Sequence, residues 1–363
     1  MRKLNVFVVV SLILAMIAGF VCFSGTAYAD SEVIFPDPAL NASVCAAVGI
    51  SYGEPIMQSE LSTLTTLSSG ALGIINLTGL QNATNLQTLT LSDNNITNLS
   101  SLQSLVNLNL LSLALNPNLS DIYSLRFLTS ITGLSLGNCN ITNITPLSST
   151  LHISYLDLRN NRVSDILPLS GLSVLGTLLL SDNGIVNTTT LLSLPSLGGL
   201  VISTNPLDSN SFTYVIPTLL GAGVFVTNDT PYILTYIAGI GGTLSGINPQ
   251  YVGPNYNGTS ITAVPNSNYK FQNWSDGSTQ NPRIDTNITA DLTVTANFVS
   301  LVPVSVITMT NIIAIVLGAV IIFLLLGFAY VEIKDNGFSE ALGLTFMGIL
   351  GIIVLEFVII ACL

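Results

Sequence analysis

The sequence predicts a mainly β fold: a right-handed solenoid (horseshoe) with a helical N-terminal cap, a small β-sheet module and a C-terminal transmembrane helical hairpin. Three features of the 363-residue chain predict it: a motif that recurs about every 22 residues, a later tract of short alternating segments, and two apolar runs at the end. We expect five segments: a signal peptide over 1–29, the cap over 30–70, the repeats over 71–228, the β module over 229–300 and two transmembrane helices over 301–363.

The first segment has the three parts of a secretory signal. Two basic residues precede an uncharged apolar stretch, which ends in Ala-Tyr-Ala, the small-x-small pattern of a signal-peptidase site. Cleavage after Ala29 makes Asp30 the mature N-terminus. The alternative is a retained anchor, because the apolar stretch is long for a signal.

The cap contains one short helix. Pro38 suits the first position of a helix and Gly49 suits its end, so we expect a helix over 39–48.

The repeats follow the pattern L-x-x-L-x-L-x-x-(N/C)-x-(I/L/V), which is that of leucine-rich repeats. Each copy is expected to form one short parallel strand, whose Leu pair, such as Leu89 and Leu91, points into a core that stacked turns bury together. The polar position is expected to satisfy buried backbone groups where the chain leaves the strand, so that these residues form a structural ladder. Its members are Asn94, Asn116, Cys139, Asn161, Asn183 and Asn205.

Two tracts carry a family resemblance. The segment FPDPALNASVCAAVGI and the following ELSTLTTL resemble the N-terminal cap of prokaryotic secreted leucine-rich-repeat proteins of the internalin kind. The segment NYKFQNWSDGS (268–278) and the closing TVTANF resemble the divergent B-repeat module of bacterial surface proteins. The resemblance implies a protein- or glycan-binding surface protein, with a β-sheet spacer in which Trp274 belongs to the core.

The C-terminal runs are long enough to cross a bilayer as helices. We expect the membrane to be contacted through residues 307–331 and 341–363, which a short polar turn joins. This hairpin places the ectodomain outside the cell membrane. Glu356 in the second run is either solvated near the interface or functional.

Composition excludes several functions. The net charge is −11 and no block of Lys and Arg occurs, so we expect no nucleic-acid partner. With one His and 4 Cys, we predict no enzyme, no metal site and no cofactor. We expect His152 to be a solvated or capped turn residue. Cys45 and Cys139 are expected not to pair, because about three turns separate them by about 15 Å, and a disulfide needs Cα atoms within about 7 Å.

The candidate binding surface is the concave sheet, read at the positions beside the core Leu residues. Five of its six rows are small and neutral, whereas Tyr155, Asp157 and Arg159 concentrate residue types found at binding hot spots. With Ser135 and Thr177 beside them, they form the predicted site; the alternative is an ordinary solvated strand. We expect Arg159 to bind a partner carboxylate through two hydrogen bonds at once. Replacing Tyr155 and Arg159 by Ala should leave thermal unfolding nearly unchanged, because neither side chain enters the Leu core.

These features favour a membrane-anchored extracytoplasmic recognition or adhesion protein that binds a protein or glycan. A structural envelope or virion surface component that packs laterally through small neutral faces is the main alternative. A sensor or transport accessory acting through the hairpin is a third. Thirteen Asn-x-Ser/Thr sequons, against about seven expected from composition, leave glycosylation of the surface open.

Overall fold

The computed structural model describes residues 30–301 and, beyond them, residues 317, 318, 320, 321 and 324. The predicted signal peptide lies outside the described residues, and so do the predicted membrane spans apart from these five positions. Among the described residues, no helix combines the length and the apolar character needed to cross a membrane. The described residues divide into two compact units: 30–264 with 271–297, and 265–270 with the described residues from 298 onward.

The cap begins with the predicted helix. Helix α1 (Pro38–Val48) starts after Asp37 and ends at Gly49, which confirms the prediction from Pro38 and Gly49. One carboxylate oxygen of Asp37 accepts from the first free N–H groups of the helix at 3.0 and 3.1 Å. Gly49 has a φ of 83°, a left-handed conformation that suits glycine. A second short helix, α2 (Gln58–Leu61), follows.

Eight short strands form one parallel sheet in chain order. They are β1 (Thr66–Ser68), β2 (Thr88–Thr90), β3 (Leu110–Ser112), β4 (Gly133–Ser135), β5 (Tyr155–Asp157), β6 (Thr177–Leu179), β7 (Gly199–Val201) and β8 (Phe225–Thr227). The six strands from β2 to β7 are those that the motif predicts. Strands β1 and β8 extend the sheet at its ends, since Leu67 and Val226 pair in register with the inward Leu of the neighbouring strand.

The core is a stack of Leu side chains. Both inward residues of each predicted row are at most 2 % exposed, which confirms the predicted core. On the far side of the core, each turn passes through a short 3-10 helix that buries a further Leu. These are Leu80–Asn82, Ser100–Leu102, Tyr123–Phe127, Thr145–Ser149, Leu167–Leu169 and Thr189–Ser193. In the last turn a π-helical segment (Ser211–Val215) and helix α3 (Ile216–Gly221) take this place.

Each turn from β1 to β7 bends through one residue with a positive φ of 50–59°, three positions after the last residue of the strand. These residues are Ala71, Asp93, Leu115, Asn138, Asn160, Asp182 and Thr204. The N–H of each one donates to the next turn, as Asp93 does to the carbonyl of Ala114 at 2.9 Å. For Thr204, at the end of the array, a carboxylate oxygen of Asp229 accepts instead, at 2.6 Å.

A carboxylate also binds the first turn. The second carboxylate oxygen of Asp37 accepts from the N–H groups of Ile75 and Asn76 at 2.8 and 3.1 Å. Asp37 therefore joins helix α1 to the first turn, whereas Asp229 accepts from a bend N–H that has no following turn.

The β module contains six strands: β9 (Tyr232–Ala238), β10 (Gly242–Ser245), β11 (Gln250–Val252), β12 (Thr262–Pro265), β13 (Tyr269–Trp274) and β14 (Leu292–Ser300). Four of them form a sheet in the order β11-β9-β14-β13, and β10 pairs with β12. Trp274 is fully buried and its indole N–H donates to the carbonyl of Gln280 at 2.9 Å, which confirms its place in the core. The guanidinium of Arg283, also buried, lies 5.5 Å from the ring centre and pairs with Asp276 and Asp285.

Candidate binding surface

The predicted binding residues come together on three adjacent strands. The register places Tyr155 of β5 between Gly133 and Thr177, and Asp157 between Ser135 and Leu179. We call Tyr155, Asp157 and Arg159 the central row, and the outward-facing side of the eight-stranded sheet the sheet face. Tyr155 is 39 % exposed and the Arg159 side chain 49 %, but Asp157 is only 4 % exposed.

Asp157 holds Arg159 in place. Its two carboxylate oxygens accept from Nε and Nη2 of Arg159 at 3.0 and 2.8 Å, and the backbone N–H of Arg159 donates to the same carboxylate at 3.0 Å. The hydrogen bonds from Arg159 to Asp157 raise the pKa of Arg159, so its charge is fixed.

This pairing corrects one expectation. Asp157 is too buried to be a contact residue and instead positions Arg159. Arg159 uses Nε and one N–H of Nη2 for Asp157, which leaves Nη1 and the second N–H of Nη2 as donors, so the expected two-bond contact with a partner carboxylate stays a prediction.

Two glycines of the preceding repeat make room for side chains of the adjacent strands, and one of those side chains is Asp157 of the central row. A Cβ added to Gly137 would lie 3.2 Å from a carboxylate oxygen of Asp157, and one added to Gly133 would lie 2.7 Å from the side chain of Leu110. Gly133 and Gly137 therefore leave space for side chains from the repeats on either side.

The sheet face also carries apolar groups. Tyr155 shares its position in the register with Leu110 of β3 and Phe225 of β8, which is 72 % exposed. Burial, and then the charge of Asp157, raise the pKa of Tyr155, so its phenol is neutral at physiological pH. Sequence reasoning missed Phe225 because it did not predict β8. The short run of β-branched and aromatic residues Val224-Phe225-Val226 was the available signal.

The polar ladder is built as predicted. Asn116 is fully buried; its amide nitrogen donates to the carbonyls of Leu91, Leu113 and Ala114 at 3.1, 2.8 and 3.4 Å, and its oxygen accepts from the N–H of Ile96 at 3.0 Å. Equivalent bonds are made by Asn94, Asn161, Asn183 and Asn205. The ladder is therefore structural.

Cys139 occupies the same position with weaker bonds. Its Sγ lies 3.4 Å from the carbonyl of Leu113, and burial raises the pKa of the thiol. A thiol replaces only the donating half of an Asn side chain. The missing part is the acceptor oxygen, which in other repeats binds a backbone N–H of the preceding turn. Here the extra residue of the 23-residue repeat forms a turn in which that N–H, of Leu119, donates instead to the carbonyl of Asn116 at 2.9 Å. Cys139 and the buried Cys45 of α1 are both free thiols.

The predicted turn role of His152 is confirmed. Its Nδ1 lies 3.0 Å from the carbonyl of Thr129, where Asn85 and Asn107 of earlier turns bind the equivalent carbonyl. Within the part of the chain that the structure describes, no three His, Cys, Asp or Glu side chains are grouped so that they could hold a metal ion.

The fold and this surface define a leucine-rich-repeat protein followed by a small β-sheet module. Residues 232–301 match the family model of the divergent InlB B-repeat domain. An internalin (inlF) from Listeria monocytogenes is 28% identical with a TM-score of 0.51, over 56% of this chain and 60% of that chain. An internalin C2 (inlC2) from the same species is 31% identical with a TM-score of 0.46, over 56% of this chain and all of that chain. No curated protein sequence matches the chain.

The chain is thus an internalin-like leucine-rich-repeat protein with a B-repeat-like module. It spans 60% of the length of the inlF structure.

Proposed function

We propose that this protein is a membrane-anchored, extracytoplasmic recognition or adhesion protein that binds a protein or glycan through the sheet face. The central row carries the proposal, because it presents an exposed aromatic ring beside a cation that is already held in position. The internalin-like fold supports the class of function. The signal peptide and hairpin predicted from the sequence support the location.

The geometry suits binding for two reasons. Arg159 is ordered by Asp157 before a partner arrives, so less side-chain freedom is lost on binding. Tyr155 offers a rigid contact area, and the short side chain of Ser135 on β4 lets a partner approach the row closely. A protein surface that carries acceptor oxygens, or a sugar ring stacked on Tyr155, matches this arrangement.

A variant for testing the site has to remove Asp157 as well. Arg159→Ala alone would leave a buried carboxylate without its partner, which costs about 3 kcal/mol in comparable cases. The expectation that Ala at Tyr155 and Arg159 leaves unfolding nearly unchanged is therefore corrected. Changing the row to Tyr155→Thr, Asp157→Thr and Arg159→Ser reproduces the side chains that β2 and its next turn residue carry at the same positions (Thr88, Thr90 and Ser92).

We expect this triple variant to bind a partner recovered by pull-down at least about 30-fold more weakly, or about 2 kcal/mol, with its unfolding midpoint little changed. The matched control is Tyr123→Ala with Arg126→Ala, an exposed pair in a 3-10 helix whose guanidinium lies 5.1 Å from the Tyr ring centre. The control should keep full affinity. Equal affinity of the triple variant and the parent would move the site away from the central row. Regular lateral arrays in electron micrographs, without a saturable partner, would favour the structural alternative.

A further inference from the structure

A second column of Asn and Asp residues lies on the surface, at the start of the 3-10 helices. In each case the side-chain oxygen accepts from the backbone N–H two residues later, at 2.8–2.9 Å, which is an Asx turn. All six side chains are exposed. They are Asn76, Asn98, Asp121, Asn143, Asp165 and Asn187.

The residue that donates this N–H differs between the turns that begin with Asn and those that begin with Asp. After each of the four Asn residues it is Ser or Thr, which completes an Asn-x-Ser/Thr sequon: Thr78, Ser100, Thr145 and Thr189. After Asp121 and Asp165 it is Tyr123 and Leu167. About a fifth of the residues of the chain are Ser or Thr, yet each of these four Asn residues is followed by one of them at this position.

The fold does not require Ser or Thr two residues after the exposed Asn. The turns at Asp121 and Asp165 have the same backbone bond with neither Ser nor Thr at the donor residue. The hydroxyls of Thr78 and Thr189 also donate to their Asn at 2.7 Å, but a carboxylate would accept such a bond equally well. Backbone geometry therefore explains the Asx turn, but not why Asn and a hydroxyl residue occur together.

The amide nitrogens of these four Asn residues are also available. Within residues 30–301, none of them donates a hydrogen bond, whereas the amide nitrogen of the ladder residue Asn116 makes three. The side-chain amide nitrogens of the four exposed Asn residues are thus accessible for modification, whereas those of the buried ladder are occupied by hydrogen bonds.

We propose that Asn76, Asn98, Asn143 and Asn187 are N-glycosylation sites, which place a row of glycans along the 3-10 edge of the solenoid. The donor is a lipid-linked oligosaccharide, a polyisoprenyl phosphate or diphosphate sugar. The Asn Nδ2 attacks the anomeric carbon, the new C–N bond forms as the C–O bond to phosphate breaks, and the electron pair leaves with the phosphate oxygen. The amide loses one proton to a base of the transferase, and no oxidation or reduction takes place. Such glycans would add the hydration that a chain with 7% charged residues otherwise lacks.

The test is glycopeptide mass mapping of the full chain purified from membranes of its own cells. We expect hexose or N-acetylhexosamine mass additions on peptides carrying the four Asn residues. Asn143→Asp keeps the Asx turn, as Asp121 and Asp165 do, and should remove one glycan; Thr145→Val should do the same. Both variants should keep the unfolding midpoint of the parent.

A gain-of-site variant makes the test sharper. Asp121→Asn combined with Tyr123→Thr rebuilds the sequon in an existing Asx turn and should add a fifth glycan to the row. Unmodified Asn at all four positions in the native protein would overturn the proposal, and so would glycans found only at sequons elsewhere in the chain.

Discussion

The ladder allows a direct comparison between a full Asn position and its one substitute. In Asn116→Ala, the N–H of Ile96 loses its acceptor in the core. An orphaned buried N–H costs about 1–3 kcal/mol. The carbonyl of Leu113 keeps only the thiol of Cys139 at 3.4 Å, whereas that of Leu91 keeps the amide of Asn94 at 2.9 Å. Together these losses predict a decrease of about 3–4 kcal/mol in the free energy of unfolding.

Cys139→Ala is the matched control. It removes thiol contacts of 3.4 and 3.8 Å, and the carbonyl of Leu113 keeps the amide of Asn116 at 2.8 Å, so we expect a loss of about 1 kcal/mol. Urea denaturation followed by circular dichroism measures both values. Equal losses in the two variants, or a loss below about 1 kcal/mol for Asn116→Ala, would refute the assignment of the stability to the Asn hydrogen bonds.

Three further predictions concern the cap and the bends. Gly79→Ala should lower the unfolding free energy by more than about 2 kcal/mol, because its φ is 107° and the added Cβ would lie 2.6 Å from the ring of Phe35. Gly49→Ala, with nothing within 4 Å, should cost only about 1 kcal/mol in the same denaturation assay, and equal costs would exclude the clash as the cause. Leu115→Asn should raise the unfolding midpoint by the equivalent of about 0.5–1 kcal/mol, because Asn tolerates the φ of 59° better than Leu; a lower midpoint would contradict this. Burial raises the pKa of Asp37, but four backbone N–H donors outweigh it and hold that pKa below its usual value. Its contribution is therefore present above pH of about 4 and is lost as the pH falls through the lowered pKa, so Asp37→Asn should flatten the acid side of the stability profile.

The parts of the fold that the sequence predicts are those in which one residue type has one local task. The inward apolar pairs and the ladder Asn residues make the same contacts in every repeat except that of Cys139, so their spacing was sufficient evidence. The central row is different, because the burial of Asp157 depends on the absence of a side chain at Gly137, which follows the preceding strand β4. That relation crosses strands and leaves no periodic signal. Strand β8 was missed because a helix, and not a 3-10 turn, precedes it, so the strand does not follow at the spacing of 22 residues.

The carboxylates at the two ends of the array bear on how such a gene can change in length. Asp37 and Asp229 bind the terminal turns, and the turns from Asn161 to Asn205 bond to their neighbours through the same Asn donors and acceptors. Removing or duplicating 22 residues between Asn161 and Asn205 would return each bond to an equivalent partner and leave both ends intact. Recombination between repeats can therefore lengthen or shorten the sheet face in whole turns, without the need to evolve a new terminus.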